Sequence, residues 1–223
     1  LAPVRDRRNG GRLPPDAGRH APQRVLHTQG VHRDGMGSAG GEAGKATILD
    51  FIAQHESKSF GYNALVYGKN TPKSAPLTDM TLQEVFQYQS DMIKKGHAST
   101  AVGRYQFLKG TLKGLVDQAG LPLTTKFTPE IQDMLGGMLV DQAGYKRYIA
   151  GKISLERFQA GLANIWASLP KADGSSAYTG LAGNKVGTDS ASLQAVLLRV
   201  KEPNTAVASN TPTVSPPPQR PPQ

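Results

Sequence analysis

Thr81-Leu82-Gln83-Glu84-Val85-Phe86-Gln87-Tyr88-Gln89-Ser90-Asp91-Met92-Ile93-Lys94-Lys95-Gly96 reads as one complete helix with its own start and stop. Thr81 followed three residues later by Glu84 is a capping box, in which each side chain satisfies the other residue's backbone N–H. Leu82, Val85, Phe86, Gln89, Met92 and Ile93 then recur on one face as far as about Lys95, and Gly96 ends the run.

The same period governs the flanks. Upstream, Thr47-Ile48-Leu49-Asp50 offers a side-chain cap, and Ile48, Phe51, Ile52 and His55 follow at helical spacing to a stop near Glu56. Downstream, Leu108, Leu112, Leu115, Val116 and Ala119 predict a helix closed by Gly120. Thr128-Pro129 opens another, with Ile131, Met134, Leu135, Met138 and Leu139 expected inward. Ser154 starts a helix carrying Leu155, Phe158, Leu162, Ile165 and Trp166 up to Pro170, and a last one is expected over 190–200. Only residues 60–79 break the pattern: Tyr62, Leu65, Val66 and Tyr67 lie among glycines and prolines, which suits an irregular lobe or a β-hairpin. The predicted fold is mostly α, an α+β arrangement of helices in two lobes with one small non-helical lobe.

Composition sets the ends of this domain. The chain has 223 residues, which fits one globular domain with loose ends. Residues 1–45 carry eight basic against four acidic residues, many Gly and Pro and almost no apolar period, so they are expected to form a disordered head. Met36 precedes the first periodic segment and is a candidate biological start. Residues 202–223 are rich in Pro, Ser and Thr and read as an extended tail, leaving 46–201 as the folded unit.

No window holds the ~18 unbroken apolar residues of a membrane helix, and no apolar stretch of a secretory signal is visible in the head. The absence of cysteine excludes disulfide scaffolds and thiolate metal sites. A net charge of +9 favours encounter with anionic polymers. The Arg-rich head lacks the interleaved aromatics that stack bases, so no specific nucleic acid is expected. His55 and His97 have no ligand spacing with another His, and no metal or other cofactor is expected.

Three strings carry chemistry. Glu56 ends an amphipathic helix where a Gly- and Tyr-rich loop begins; carboxyls set at the edge of an apolar core serve as proton donors to a leaving oxygen. Gly103-Arg104-Tyr105-Gln106-Phe107 combines a glycine that permits close backbone approach with the donors of Arg104 and Gln106 and the ring of Tyr105. Trp166-Ala167-Ser168-Leu169-Pro170 holds the only Trp, followed by a Gly/Ser loop with Tyr178. Each string has a plain structural reading too: a solvated helix-terminal Glu, a helix start, and a core Trp.

Taken together and in this order, His55-Glu56-Ser57 with Gly61-Tyr62-Asn63, then Gly103-Arg104-Tyr105-Gln106, then Asn164-Ile165-Trp166-Ala167-Ser168-Leu169-Pro170 with Tyr178 and Gly180, resemble the lambda-type phage lysozymes, lytic transglycosylases of the lysozyme superfamily. The resemblance covers about residues 47–185. It implies a groove for peptidoglycan glycan strands, a catalytic Glu56, and substrate-binding roles for Tyr62, Asn63, Arg104, Tyr105, Gln106, Trp166, Ser168 and Tyr178. It also implies a monomer that acts on the cell wall, released through a holin, carried on a virion or exported by another route. Asn63 departs from the family, which has an acid there, and the segment 78–97 is organised differently.

Hydrolysis of a glycosidic bond usually needs a second carboxylate. Phage hydrolases with an acid nine residues after the Glu would need one at position 65, where this chain has Leu65. Asp79, Glu84 and Asp91 are the next acids, and Glu84 already belongs to the capping box. Transglycosylation needs only one acid, so it is the expected reaction, with hydrolysis or a non-catalytic wall-binding domain as alternatives.

Overall fold

In a computed structural model of the protein, residues 39–65, 75–178 and 186–202 are described. They contain seven α-helices and no strand: α1 (Ala39–Glu56), α2 (Leu82–Lys94), α3 (Lys109–Ala119), α4 (Pro129–Ala143), α5 (Tyr145–Ile149), α6 (Leu155–Ala163) and α7 (Ser190–Lys201). The described residues are mostly helical, as their periodicity predicts. In place of a hairpin, the described parts of 60–79 form two 3₁₀ turns, Lys58–Asn63 and Leu77–Asp79, and a single bridge from Leu65 to Val102. The rest of the expected hairpin lies outside the described residues.

Most helix ends follow the caps written in the sequence. Thr81 and Glu84 form the reciprocal capping box, Thr128 accepts from the Ile131 N–H with Pro129 at the first position, and Gly120 closes α3 at φ 64°. Three expectations need correction. Helix α1 starts at Ala39, inside the supposedly disordered head. Its first turns are Gly- and Ala-rich and have no apolar period, but the Tyr145 hydroxyl donates to the Gly41 carbonyl at 2.8 Å and the Lys45 ammonium bridges Glu42 and Asp141. A Cβ at Gly44 would come within 2.2 Å of the Tyr145 oxygen, so this glycine is what lets the helix lie against α5. Helix α6 ends at Ala163 and leaves Trp166 in the irregular stretch that follows. The apolar face of α4 is also rotated from expectation: Met134 is 42% exposed, whereas Gln132, Leu135, Gly136, Leu139 and Val140 are buried.

The core forms where α1 crosses α4 and α7 and α4 packs on α6. Ile48 and Ile52 of α1 join Leu135 and Leu139 of α4, Phe158 and Leu162 of α6, and Leu193 and Leu197 of α7. Contact between α4 and α6 is close because Gly161 presents no side chain to the Ala143 carbonyl, which a Cβ there would approach to 2.3 Å. Helix α1 is thereby clamped along its length, and its C-terminal residue has a fixed position and direction.

Candidate active site

Glu56 is the last residue of α1, one turn beyond the buried Ile52 and Ala53. Directly after it the chain turns sharply, through Lys58 at φ 47° and Gly61 at φ 52°. Lys58 therefore occupies a left-handed conformation that costs a non-glycine residue energy and survives only where surroundings impose it. The Ser57 backbone N–H and hydroxyl both donate to the Ala53 carbonyl, at 3.0 and 3.1 Å, and anchor the turn.

The Glu56 side chain is half-buried, and the Ser168 hydroxyl donates to its Oε1 at 2.6 Å. The Ser168 carbonyl in turn accepts from the Gly187 N–H at 2.8 Å. A Cβ at Gly187 would lie 3.5 Å from Ser168 Cβ and 3.7 Å from the His55 ring, so three segments converge on Glu56: the end of α1, the stretch after α6 and the approach to α7. Phe60, in the turn that follows Glu56, is 59% exposed.

The 103–106 turn builds a different cluster. Gly103 adopts φ 78°, and a Cβ there would meet the Gln132 side-chain oxygen at 2.5 Å. That oxygen accepts from the Arg104 N–H at 2.9 Å, while the Gln132 amide donates to the carbonyls of Tyr62 and Phe127. Fully buried, Gln132 thus ties three loops together through its side-chain amide. The Arg104 guanidinium donates to Asp50 Oδ1 at 2.6 Å and to the Tyr62 hydroxyl at 2.7 Å. Asp133 accepts from Tyr62 at 2.9 Å and from Tyr105 at 2.6 Å, and Arg104 lies 3.6 Å from it. Burial, followed by the bond to Asp133, pushes the Tyr105 phenol far above its ordinary range, and the same causes in the same order raise Tyr62.

The expected site residues therefore divide. Glu56 and Ser168 meet directly. Tyr62, Arg104 and Tyr105 meet around Asp133 and Asp50, which the sequence reading passed over. Asp50 and Glu56 are six positions apart on α1, which places them about 120° apart around its axis and about 9 Å along it, so the clusters face different ways.

Trp166 was expected to contact substrate; it is 1% exposed and donates its indole N–H to the Tyr105 carbonyl at 3.2 Å, which leaves no ring face for a sugar. Tyr105 and Gln106 are buried as well, with Gln106 held at φ 51° and its amide donating to the Gly103 carbonyl. All three side chains belong to the interior. Asn63 accepts from the Thr78 N–H at 3.1 Å and joins the two 3₁₀ turns, and Tyr178 donates to the Asn164 carbonyl at the side of another cavity. Sequence reasoning missed Asp50, Gln132, Asp133 and Phe60. Gln132 alone left a signal, since it shares a face with Leu135 and Leu139 at spacings of three and seven, a polar residue on a core stripe.

The end of α1 thus sets a half-buried carboxyl against the Ser168 hydroxyl. The sequence profile of the endolysin family matches residues 47–185, more than half of the chain, and the protein belongs to that family of phage enzymes that degrade the bacterial cell wall. Its substrate is accordingly peptidoglycan. No curated protein and no solved structure matches the chain. Among the described residues no helix is long and apolar enough to cross a membrane.

Proposed function

We propose that the protein is a lytic transglycosylase that cleaves the bond between N-acetylmuramic acid and N-acetylglucosamine, with Glu56 as both acid and base. The observation that carries this reading is the 2.6 Å bond from the Ser168 hydroxyl to Glu56. A hydroxyl can donate to a carboxylate and accept from a carboxylic acid, so this bond can persist through both protonation states. A guanidinium, which only donates, would favour the carboxylate alone.

In the first step Glu56 gives its proton to the leaving oxygen as the C1–O bond breaks and positive charge develops on the muramic ring. In the second, the Glu56 carboxylate takes the proton of the muramic C6 hydroxyl while that oxygen closes on C1. A 1,6-anhydro end forms, the acid regains its proton, and no water is consumed. Several other acids have competing partners: Glu84 bonds to Thr81, Asp91 to Gln87 and Lys94, and Asp133 to two phenols. Phe60, exposed in the turn that follows the acid in the chain, supplies the apolar face for a sugar that the sequence reading assigned to Trp166. The wall-cleaving unit is the expected 46–201 domain extended upstream to Ala39, and one chain supplies every group the reaction uses, so it acts as a monomer.

Mass spectrometry of isolated sacculi digested by the full chain tests the assignment. Anhydro-muramic ends that carry no ¹⁸O from labelled water are expected. Reducing ends labelled with ¹⁸O would make the protein a hydrolytic muramidase, and retention on sacculi without new ends would make it a non-catalytic binding domain.

A further inference from the structure

A cavity of about 690 Å³ opens between the end of α4, α5 and α6, lined by Arg147, Arg157, Ile153, Asn164, Ile165 and Tyr178 among others. No acidic residue lines it, and among the described residues neither guanidinium takes part in an ion pair or hydrogen bond. Arg104 shows the contrast, because two carboxylates and a phenol surround it. Two uncompensated guanidiniums facing one hollow raise its positive potential and favour an anionic guest. A bare phosphate would leave the aliphatic wall of Ile153, Ala160 and Ile165 unused. A peptide with small apolar side chains and free carboxylates would use both features, and the exposed Asn164 amide can donate to and accept from a peptide bond.

The cavity is also within reach of the acid. Asn164 lines it, and Ser168, four residues on, holds Glu56, so the backbone between them spans at most about 14 Å. An extended peptide of four residues spans the same distance of about 14 Å. We infer that this cavity binds the carboxylate-bearing stem peptide of the muramic acid whose glycosidic bond lies at Glu56, with Arg147 and Arg157 as its anion-binding pair. The inference rests on the wall-cleaving reading above and gives Tyr178 a place in peptide binding.

A free stem tetrapeptide titrated into the full chain and into its Arg147→Gln/Arg157→Gln variant, with inorganic phosphate as a parallel titrant, tests this. Both side chains are exposed, and a thermal melt checks that the variant folds. The wild-type chain should bind the peptide, and the double variant should bind it about tenfold more weakly or worse, since each guanidinium–carboxylate bond is charge-assisted. Arg157→Lys, which keeps the charge, should retain most of the binding. The ratio of kcat/KM on peptide-bearing glycan to that on peptide-stripped glycan should fall by a similar factor in the double variant. Equal peptide affinity in the two proteins overturns the inference, as does phosphate binding without peptide binding. A chain that binds peptide through these arginines but creates no new sugar ends keeps the inference and loses the transglycosylase assignment. One that cuts both glycans with the same ratio in either variant loses the inference alone.

Discussion

Asp133 and Glu56 are two partly exposed carboxylates held in opposite ways. Asp133 accepts from the phenols of Tyr62 and Tyr105 and sits 3.6 Å from Arg104. Glu56 is held by Ser168, a neutral group able to act in either direction. The comparison teaches where a reusable proton can be kept. A carboxylate surrounded by donors braces loops against one another, whereas one paired with a hydroxyl can lose and regain its hydrogen without losing its place. Residues resembling a substrate-binding motif belong largely to the first setting, and the proposed acid belongs to the second.

The largest effect expected on this contrast is from Glu56→Gln. The amide keeps the shape and can still accept from Ser168, but it has no transferable proton, so clearing of a wall suspension should fall by about a thousandfold while the melting temperature holds. Clearing at the wild-type rate would remove Glu56 from the mechanism. Asp133→Ala comes next, with the damage in stability: the buried Tyr105 hydroxyl loses its acceptor and Arg104 a neighbouring charge, for a loss of about 2 kcal/mol in chemical denaturation. A loss near that of an isolated surface ion pair would mean that the cluster does not brace the fold.

A smaller change is expected for Ser168→Ala. Without the hydroxyl the acid is less well aimed, and the rate should drop about tenfold with an altered pH–rate profile, while Ser168→Thr restores both. An unchanged profile in the alanine variant would show that Ser168 is only a packing residue. The smallest effect is read in alkali. Tyr105 titrates higher in the fold than in the unfolded chain because of burial and then of its bond to Asp133. The stability this represents is therefore fully present below the ordinary phenol value of about 10 and is lost as pH rises through the higher folded value. The melting temperature of the native chain should decline above about pH 10, and Tyr105→Phe should make that decline shallower. Parallel declines would place the alkaline sensitivity elsewhere.

What was legible in the sequence was what neighbours in the chain decide. Thr81 with Glu84, Thr128 with Pro129, and Gly120 mark helix ends because the bonds they make lie within four residues. The first turns of α1 gave no such sign, since glycine and alanine at 39–46 show no apolar face, and the hydroxyl that secures them comes from Tyr145, 104 positions from Gly41. The burial of Trp166 was not legible for a related reason: an aromatic after a helix suits core and groove equally until its N–H finds the Tyr105 carbonyl. Asp133 went unread because its partners Tyr105 and Tyr62 are 28 and 71 residues away.

By itself, the sequence determined a helical protein, the places where most helices begin and stop, and an acid delivered at the end of one of them, because capping and amphipathic period are local properties of the chain. Only the tertiary structure decided which carboxylate is surrounded by phenols and a guanidinium and which is given a hydroxyl. That choice depends on packing between α1, α4 and the segment after α6, which brings Ser168 to Glu56 across 112 residues.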